Sequence, residues 1–412
     1  MQPKIYHTTD HDIDPAFLDI DAVHVVKRLR EAGFTAYLVG GSVRDLLVKK
    51  TPKDYDISTS AHPEQIKKIF QRQCLLIGRR FRLAHIRFGH KIIEVATFRA
   101  GDNDSDLIVQ DNIWGTPEED VLRRDFTING LFYDPSNHTV IDYVGGWEDI
   151  HTQTLRTIGE ATTRFKQDPV RMIRLLKFQS RFGFNIDPAA TQALKKCHPE
   201  ILKSSSARIL EELLRMLESG ASATFFRLMT ESGLLELLFP ALTAFLKGND
   251  AQKVYQLLAM ADQINLKNKK TLDRSILAAC LLYPTFENEL DHKFHKHNIN
   301  PHFGDILLLS SSVIKEMLMS SFAHFPKRIN MLLGFILSTQ YRMTPKSGKR
   351  HQRPKLLQSH EFEFALRFLK IRAMADELLI PDYNWWMNCY RQAGRQSERR
   401  GHHPHPSPDH HR

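Results

Sequence analysis

Near residue 160 the hydrophobic pattern of this chain changes period, and that change does most to limit the folds open to it. Before it, short runs of strand-forming residues alternate with helical stretches. After it, apolar residues recur almost without interruption at helical spacing, which lays one apolar stripe along each helix. The helical segments read as 168–182 (DPVRMIRLLKFQSRF), 206–217 (SARILEELLRML) and 224–239, interrupted by Pro240. Others follow at 251–265, 271–283, 303–319, 328–340, 359–380 and 383–393. No segment repeats at a fixed period, which speaks against a solenoid. A chain of 412 residues needs more than one core. The expected class is α+β, with a head containing a small mixed sheet over 1–150. Helical neck and body regions are expected over 151–245 and 246–398. The His-rich, low-complexity tail over 399–412 is expected to lack fixed structure.

In the head, 20–32 (IDAVHVVKRLREA) reads as a helix stopped by Gly33. A strand from Ala36 to Val39 runs into Gly40-Gly41, and Ser42 to Leu47 starts a helix. Tyr55 to Ser58 reads as a strand, and Pro63 opens a helix through Phe70. Segments 82–88 and 91–98 form a hairpin around Gly89-His90, a polar linker covers 101–106, and 138–144 supplies one more strand.

The chemistry concentrates in 38–59, LVGGSVRDLLVKKTPKDYDIST. A strand ends in two glycines, which let a backbone approach a phosphate, and the amides of the next helix can donate to it. Asp54 and Asp56 follow, two apart in an extended segment, so both carboxylates face one spot. Two such charges repel unless a cation lies between them, and magnesium suits oxygen ligands beside phosphates.

Lys and Arg outnumber Asp and Glu by 57 to 47, a net +10, which favours a polyanionic partner such as nucleic acid or an acidic membrane surface. The four cysteines (74, 197, 280 and 389) form no CxxC pair, so neither a disulfide framework nor a zinc site is indicated. The N-terminus lacks the apolar core of a signal peptide, and no run approaches the ~18 apolar residues of a membrane span. A cytoplasmic protein without membrane partners is the expectation.

Segment 38–59 resembles the head motif of the class II branch of the DNA polymerase β-like nucleotidyltransferases, which holds tRNA CCA-adding enzymes and bacterial poly(A) polymerases. Three further blocks agree in order: 119–131 (EDVLRRDFTINGL), 168–174 (DPVRMIR) and 211–215 (EELLR). Together they span about the first 220 residues. Segment 77–99, IGRRFRLAHIRFGHKIIEVATFR, is similar to the poly(A) polymerase form, and 383–392 (YNWWMNCYRQ) resembles the paired tryptophans near the end of those enzymes.

The resemblance implies a polymerase β-like head, a neck with a nucleotide-reading helix, and an RNA-binding body. The implied reaction moves AMP from ATP to an RNA 3′ end, without a template, releasing pyrophosphate and serving RNA turnover. Two metal ions, Mg2+ or alternatively Mn2+, would be held by Asp54 and Asp56. Asp125, in the RRDFTIN block, is the expected third catalytic carboxylate. Glu94 is the lesser candidate, because a mid-strand acid beside Ile92 and Ala96 is costly to bury.

Gly40, Gly41, Ser42 and Arg44 would contact the triphosphate, and Arg124, Asn129, Arg171 and Arg174 the ribose and phosphates. Glu212 and Arg215 pair an acceptor with a donor three residues apart, which fits adenine and cytosine but not guanine or uracil. Arg79-Arg80-Phe81-Arg82 could follow the primer or shape the ATP pocket. The basic loop 345–355 and Trp385-Trp386 are RNA-contact candidates, the tryptophans being also core candidates. ATP, RNA 3′ ends and RNA-degradation machinery are the implied partners. The rival readings are a CCA-adding enzyme and a catalytically dead RNA-binding relative.

Overall fold

The computed structural model describes residues 2–78, 83–101, 113–268, 270–297, 299–319, 325–344 and 354–400, with the backbone alone for 354 and 394–400. The Arg79–Arg82 run, most of the 101–106 linker, most of the basic loop (345–353) and the tail from 401 lie outside the described residues. The chain divides into two units, Met1–Lys203 and Ser204–Arg412, so the division falls inside the expected neck.

The first unit holds the mixed sheet, with eight strands among the described residues: β1 (Lys4–Tyr6), β2 (Ala36–Val39), β3 (Asp56–Thr59), β4 (Cys74–Ile77), β5 (Leu83–Phe88), β6 (Lys91–Thr97), β7 (Leu131–Asp134) and β8 (Thr139–Asp142). Their order is β1-β8-β7-β2-β3-β6-β5-β4, and β3 and β6 run parallel while the other neighbours are antiparallel. The helices are α1 (Ile20–Glu31), α2 (Gly41–Leu47), α3 (Pro63–Phe70), α4 (Pro117–Leu122), α5 (Gly146–His151), α6 (Ala161–Gln167), α7 (Val170–Phe182) and α8 (Pro188–Cys197). A short parallel pair, β9 (Thr154–Leu155) and β10 (Asn185–Ile186), lies apart from the main sheet.

α1 forms where expected. The Asp19 side chain caps it by accepting from the amides of Asp21 and Ala22, and Ala22, Val25, Val26 and Leu29 form its buried stripe. That stripe packs on β2 and β3. Leu38 and Ile57, which are register partners, are both fully buried, as are most alternate residues of these strands. α3 continues the layer over β4 and β5. Among the described residues, a core of Val39, Phe98, Val121, Phe132 and Ile141 covers one end of the opposite face.

The sequence pattern does not reveal β1, β4 or β7. β1 is a three-residue edge strand, and β7 is buried along its whole length, so neither alternates.

The second unit is helical: α9 (Ser206–Leu217), α10 (Ser222–Glu231), α11 (Leu234–Leu238), α12 (Pro240–Leu246), α13 (Ala251–Lys267), α14 (Arg274–Lys293), α15 (Phe303–Ile314), α16 (Lys327–Met343), α17 (Pro354–Leu357), α18 (Phe362–Ala375) and α19 (Ile380–Arg400). The expected helix 224–239 breaks at Gly233, and Pro240 begins α12 instead of ending a helix. Conversely, α14 runs through Pro284. Thirteen of its side chains are buried, and it packs on α13, α15, α16 and α18, which outweighs the roughly 3 kcal/mol an internal proline costs. Trp386 is core: it is 1% exposed, packs on Phe362, and donates its indole N–H to the Met343 carbonyl at 2.9 Å. Trp385 is half-buried against it, edge to face at 4.7 Å. No described helix is long and apolar enough to cross a membrane.

Candidate active site

Gly40 follows the last residue of β2 with φ +68° and ψ −125°, a backbone that strains any residue with a Cβ. A Cβ there would also stand 3.1 Å from Arg124 Nη1, so the turn is tight against its neighbour as well. At Gly41, the first residue of α2, a Cβ would meet Arg44 Nη2 at 3.5 Å, an ordinary contact. The Ser42 hydroxyl, 2% exposed, donates to Val39 O at 3.0 Å and so ties the end of β2 to the start of α2.

Two-residue alternation sorts the next segment. Tyr55 is buried, and its hydroxyl donates to Phe17 O at 3.0 Å. Asp54 and Asp56, on either side of it, are both exposed and therefore share the opposite face. Sheet register extends this arrangement. Asp56 stands opposite Glu94 on β6, Glu94 opposite His85 on β5, and His85 opposite Leu75 on β4. In the other direction Asp56 stands opposite Val39, and Val39 opposite Phe132. One row thus runs Leu75–His85–Glu94–Asp56–Val39–Phe132, roofed by the apolar core at its Val39–Phe132 end. The desolvation argument against Glu94 does not apply, because β6 buries Ile93, Val95 and Thr97 and turns Ile92 and Glu94 outward. The Glu94 side chain is 49% exposed.

Although the outer edge of Asp56 is open, burial among protein atoms pushes its carboxyl up to about 6; Glu94 adds to the rise, Arg124 opposes it, and Asp54 adds again. Oxygen-only carboxylates that repel one another are the donor set of a hard divalent cation that also binds phosphates. They do not form a closed cage: among the described residues, no group of three or more His, Cys, Asp or Glu side chains is close enough to hold a metal ion. Ligation needs the ionised form, so metal affinity is expected to rise as pH climbs through about 6.

The same shift makes a stability prediction. Because the folded-state pKa lies above the unfolded one, ionising Asp56 costs stability, and the cost grows as pH rises from the ordinary carboxylate range to about 6. Asp56→Asn should therefore raise the melting temperature of the metal-free protein at pH 7 by roughly 2–4 °C, taking about 1 kcal/mol after discounting for solvent screening. No rise is expected at pH 4. Calorimetry in a chelator at the two pH values checks this, and an unchanged or lower value at pH 7 refutes it.

Several other expected site residues gather in a buried polar network. Burial alone would raise the carboxyl of Asp125, but Arg174 Nη2 at 2.8 Å, the Asn129 amide and the Phe126 N–H, each at 2.9 Å, hold it below the usual carboxylate range. Asn129 Oδ1 accepts from Arg44 Nη1 at 2.6 Å. Arg44 is 4% exposed, bonds Asp45 Oδ1 through Nη2 at 2.6 Å, and lies over the rings of Phe178 and Phe182 at 4.9 and 4.8 Å. Arg171 donates to Arg123 O at 3.1 Å, and burial brings its pKa down to about 10.

Arg124 links this network to the open face. It donates to Asp120 at 3.0 Å, to Ser58 at 3.2 Å and to Asn129 O at 3.4 Å. Asp54, Asp56 and Glu94 thus lie on the open face with Gly40 and Arg124 beside them, Ser42, Arg44, Asp125, Asn129 and Arg174 lie in its support, and Arg171 stands beside Asp168.

Glu212 and Arg215 belong to the second unit. Arg215 Nε pairs with Glu211 at 2.9 Å, one turn back on α9, and Glu211 also receives Arg274 Nη1 at 3.0 Å. Arg274 bonds Glu218 at 2.9 Å, so residues 211, 215 and 218 form an ion network with α14. Sequence reasoning passed over His85, Asp120 and Asp168. Counting by two from Leu83 places His85 on the outward face of its strand, i,i+4 spacing sets Asp120 beneath Arg124, and the Arg171 amide donates to the Asp168 carbonyl at 3.0 Å.

The family described as Poly A polymerase head domain matches residues 36–156. Those described as Probable RNA and SrmB- binding site of polymerase A and Polymerase A arginine-rich C-terminus match 183–246 and 311–411. The chain is 33% identical to Poly(A) polymerase I of Haemophilus influenzae over 410 residues, covering 96% of this chain and 90% of that one. It is 37% identical to Poly(A) polymerase I of Escherichia coli O157:H7 over 403 residues, covering 93% and 85%. The CCA-adding enzyme of Lactobacillus helveticus is 36% identical over 219 residues, which cover 53% of this chain and 54% of that one. Among solved structures, the Bacillus stearothermophilus CCA-adding enzyme in complex with CTP superposes with a TM-score of 0.64 at 26% identity, covering 90% of this chain and 82% of that one.

Proposed function

Since the chain belongs to the poly(A) polymerase I family of nucleotidyltransferases, we propose that it transfers AMP from ATP to RNA 3′ ends without a template. The reach of the likeness in sequence carries this reading: poly(A) polymerases align over 93–96% of the chain, while the CCA-adding relative aligns over 53% of it. Members of this family use divalent metal ions, and Mg2+ is the ion we assign, with Mn2+ as a substitute. Asp54 and Asp56 would hold it, and Glu94, their neighbour across the sheet, would turn towards the ion as a third carboxylate. When bound, the ion lowers the pKa of the RNA 3′-hydroxyl and neutralises charge building on the phosphates.

The chain's own groups supply the rest. The strained turn at Gly40 allows close approach of backbone to the triphosphate, and Arg124 places its charge beside that turn. Asp125, Asn129, Arg44 and Arg174 keep the 123–130 loop and α2 in fixed relation, so that Arg124 does not move as charge develops. For base reading, Asp168 with Arg171 offers the same acceptor–donor spacing as Glu212 with Arg215. It also lies in the unit that carries Asp54 and Asp56. A reducing cytoplasm, with RNA-degradation machinery at hand, suits four buried free thiols.

Purified protein offered each nucleoside triphosphate with a generic RNA and a truncated tRNA should extend both with AMP alone. Transfer of CMP confined to the tRNA would establish the CCA-adding reading instead. In the same assay Arg171→Ala should raise the KM for ATP by about tenfold or more, the loss of one charge-assisted contact. An equal effect from Arg215→Ala with none from Arg171→Ala would return base reading to α9.

A further inference from the structure

We infer that His85 is a positioning residue for Glu94 and so sets how tightly the open-face carboxylates take a divalent cation. The inference rests on the assignment of Glu94 as a ligand made above. His85 is the register partner of Glu94 on β5, and its Nε2 lies 3.4 Å from Glu94 Oε1. The imidazole is 17% exposed and the carboxylate 49%, so a packed donor stands beside an acceptor that faces solvent. On the far side of His85 in the same row is Leu75, which has no polar atom, so within the row Glu94 is the one side chain with which the ring can hydrogen-bond. On the other side of Glu94 stands Asp56, whose like charge drives the carboxylate away from where a shared cation would sit.

An Nε2–H donated to one oxygen of Glu94 counters that drift. It fixes the side-chain torsions and leaves the second oxygen for the metal, the arrangement by which outer groups orient ligating carboxylates. His85 touches neither nucleotide nor metal in this scheme; it acts through Glu94.

The test measures Mn2+ binding from the electron paramagnetic resonance signal of free Mn2+, in protein without nucleotide or RNA. His85→Leu keeps bulk and removes the donor, and His85→Gln restores an N–H. His85→Leu should weaken Mn2+ binding about tenfold while His85→Gln stays within about threefold of the parent. In a Glu94→Gln background, His85→Leu should add nothing further. Thermal melts of each variant exclude unfolding as the cause, and His85→Gln carries the test if His85→Leu does not fold. Unchanged Mn2+ affinity in His85→Leu, with affinity lost in Glu94→Gln, overturns the inference and leaves Glu94 a ligand. A further loss in the double variant also overturns it, since His85 would then act on something other than Glu94. If Glu94→Gln itself binds Mn2+ like the parent, the ligand assignment has failed instead.

Discussion

Asp56→Ala should lower the rate of AMP transfer about a thousandfold or more, equivalent to roughly 4 kcal/mol of transition-state stabilisation. Asp54→Ala should do the same. Both carboxylates flank the buried Tyr55 and are exposed, and the next positions two residues out, Pro52 and Ser58, offer no carboxylate to replace either. The loss should not come from unfolding: burial, Glu94 and Asp54 already disfavour the charge on Asp56, and its removal relieves strain in the metal-free protein. Single-turnover transfer at saturating ATP, beside a melting curve for the same sample, separates the two effects. A variant that keeps its rate within tenfold would remove the metal site from this face.

The second large effect concerns stability. Asp125→Ala should cost about 2–3 kcal/mol, the penalty for taking the acceptor from two buried donors, and lower the melting temperature by roughly 5–10 °C. The change strips the acceptor from the Phe126 N–H and from the Asn129 amide, and with it the contact that orients Asn129 towards Arg44, while the partly exposed Arg174 keeps its contact with water. Because the folded-state pKa of Asp125 is depressed, its contribution is complete above the ordinary carboxylate range and is lost as pH falls through its lowered value. The parent and variant should therefore converge in acid. Arg174→Leu should cost less in the Asp125→Ala background than in the parent, because the two residues form one ion pair. Equal costs in the two backgrounds would mean that the pair is not the source of the stability.

Local pattern carried the architecture of the head a long way. Helix α1, strand β2 and the β5–β6 hairpin have capping, turn and periodicity signals within their own residues, and each formed within a residue or two of expectation. The shared face of Asp54 and Asp56 was legible for the same reason: alternation along one short segment decides it. What was not legible depends on partners distant in sequence. Arg44 reads as a phosphate contact from its neighbours Gly40 to Ser42. Its guanidinium is instead held by Asn129, 85 residues on, and by aromatic rings of α7. For Glu94 the alternation of β6 was visible, but which of its two faces would be buried was not. Glu211, which pairs with Arg215, is also held by Arg274, which reaches α9 from α14.

The parallel join of β3 to β6 has a consequence for biosynthesis. Asp56 and Glu94 lie on strands joined through residues 60–90, and only correct docking of β6 puts them side by side. A slip of one residue in that docking would turn Glu94 inward and Ile93 outward, giving a chain both inert and sticky. Until β6 docks, a growing chain has no fixed place for Glu94 beside Asp56, so the acidic row is assembled by the sheet and not by local sequence.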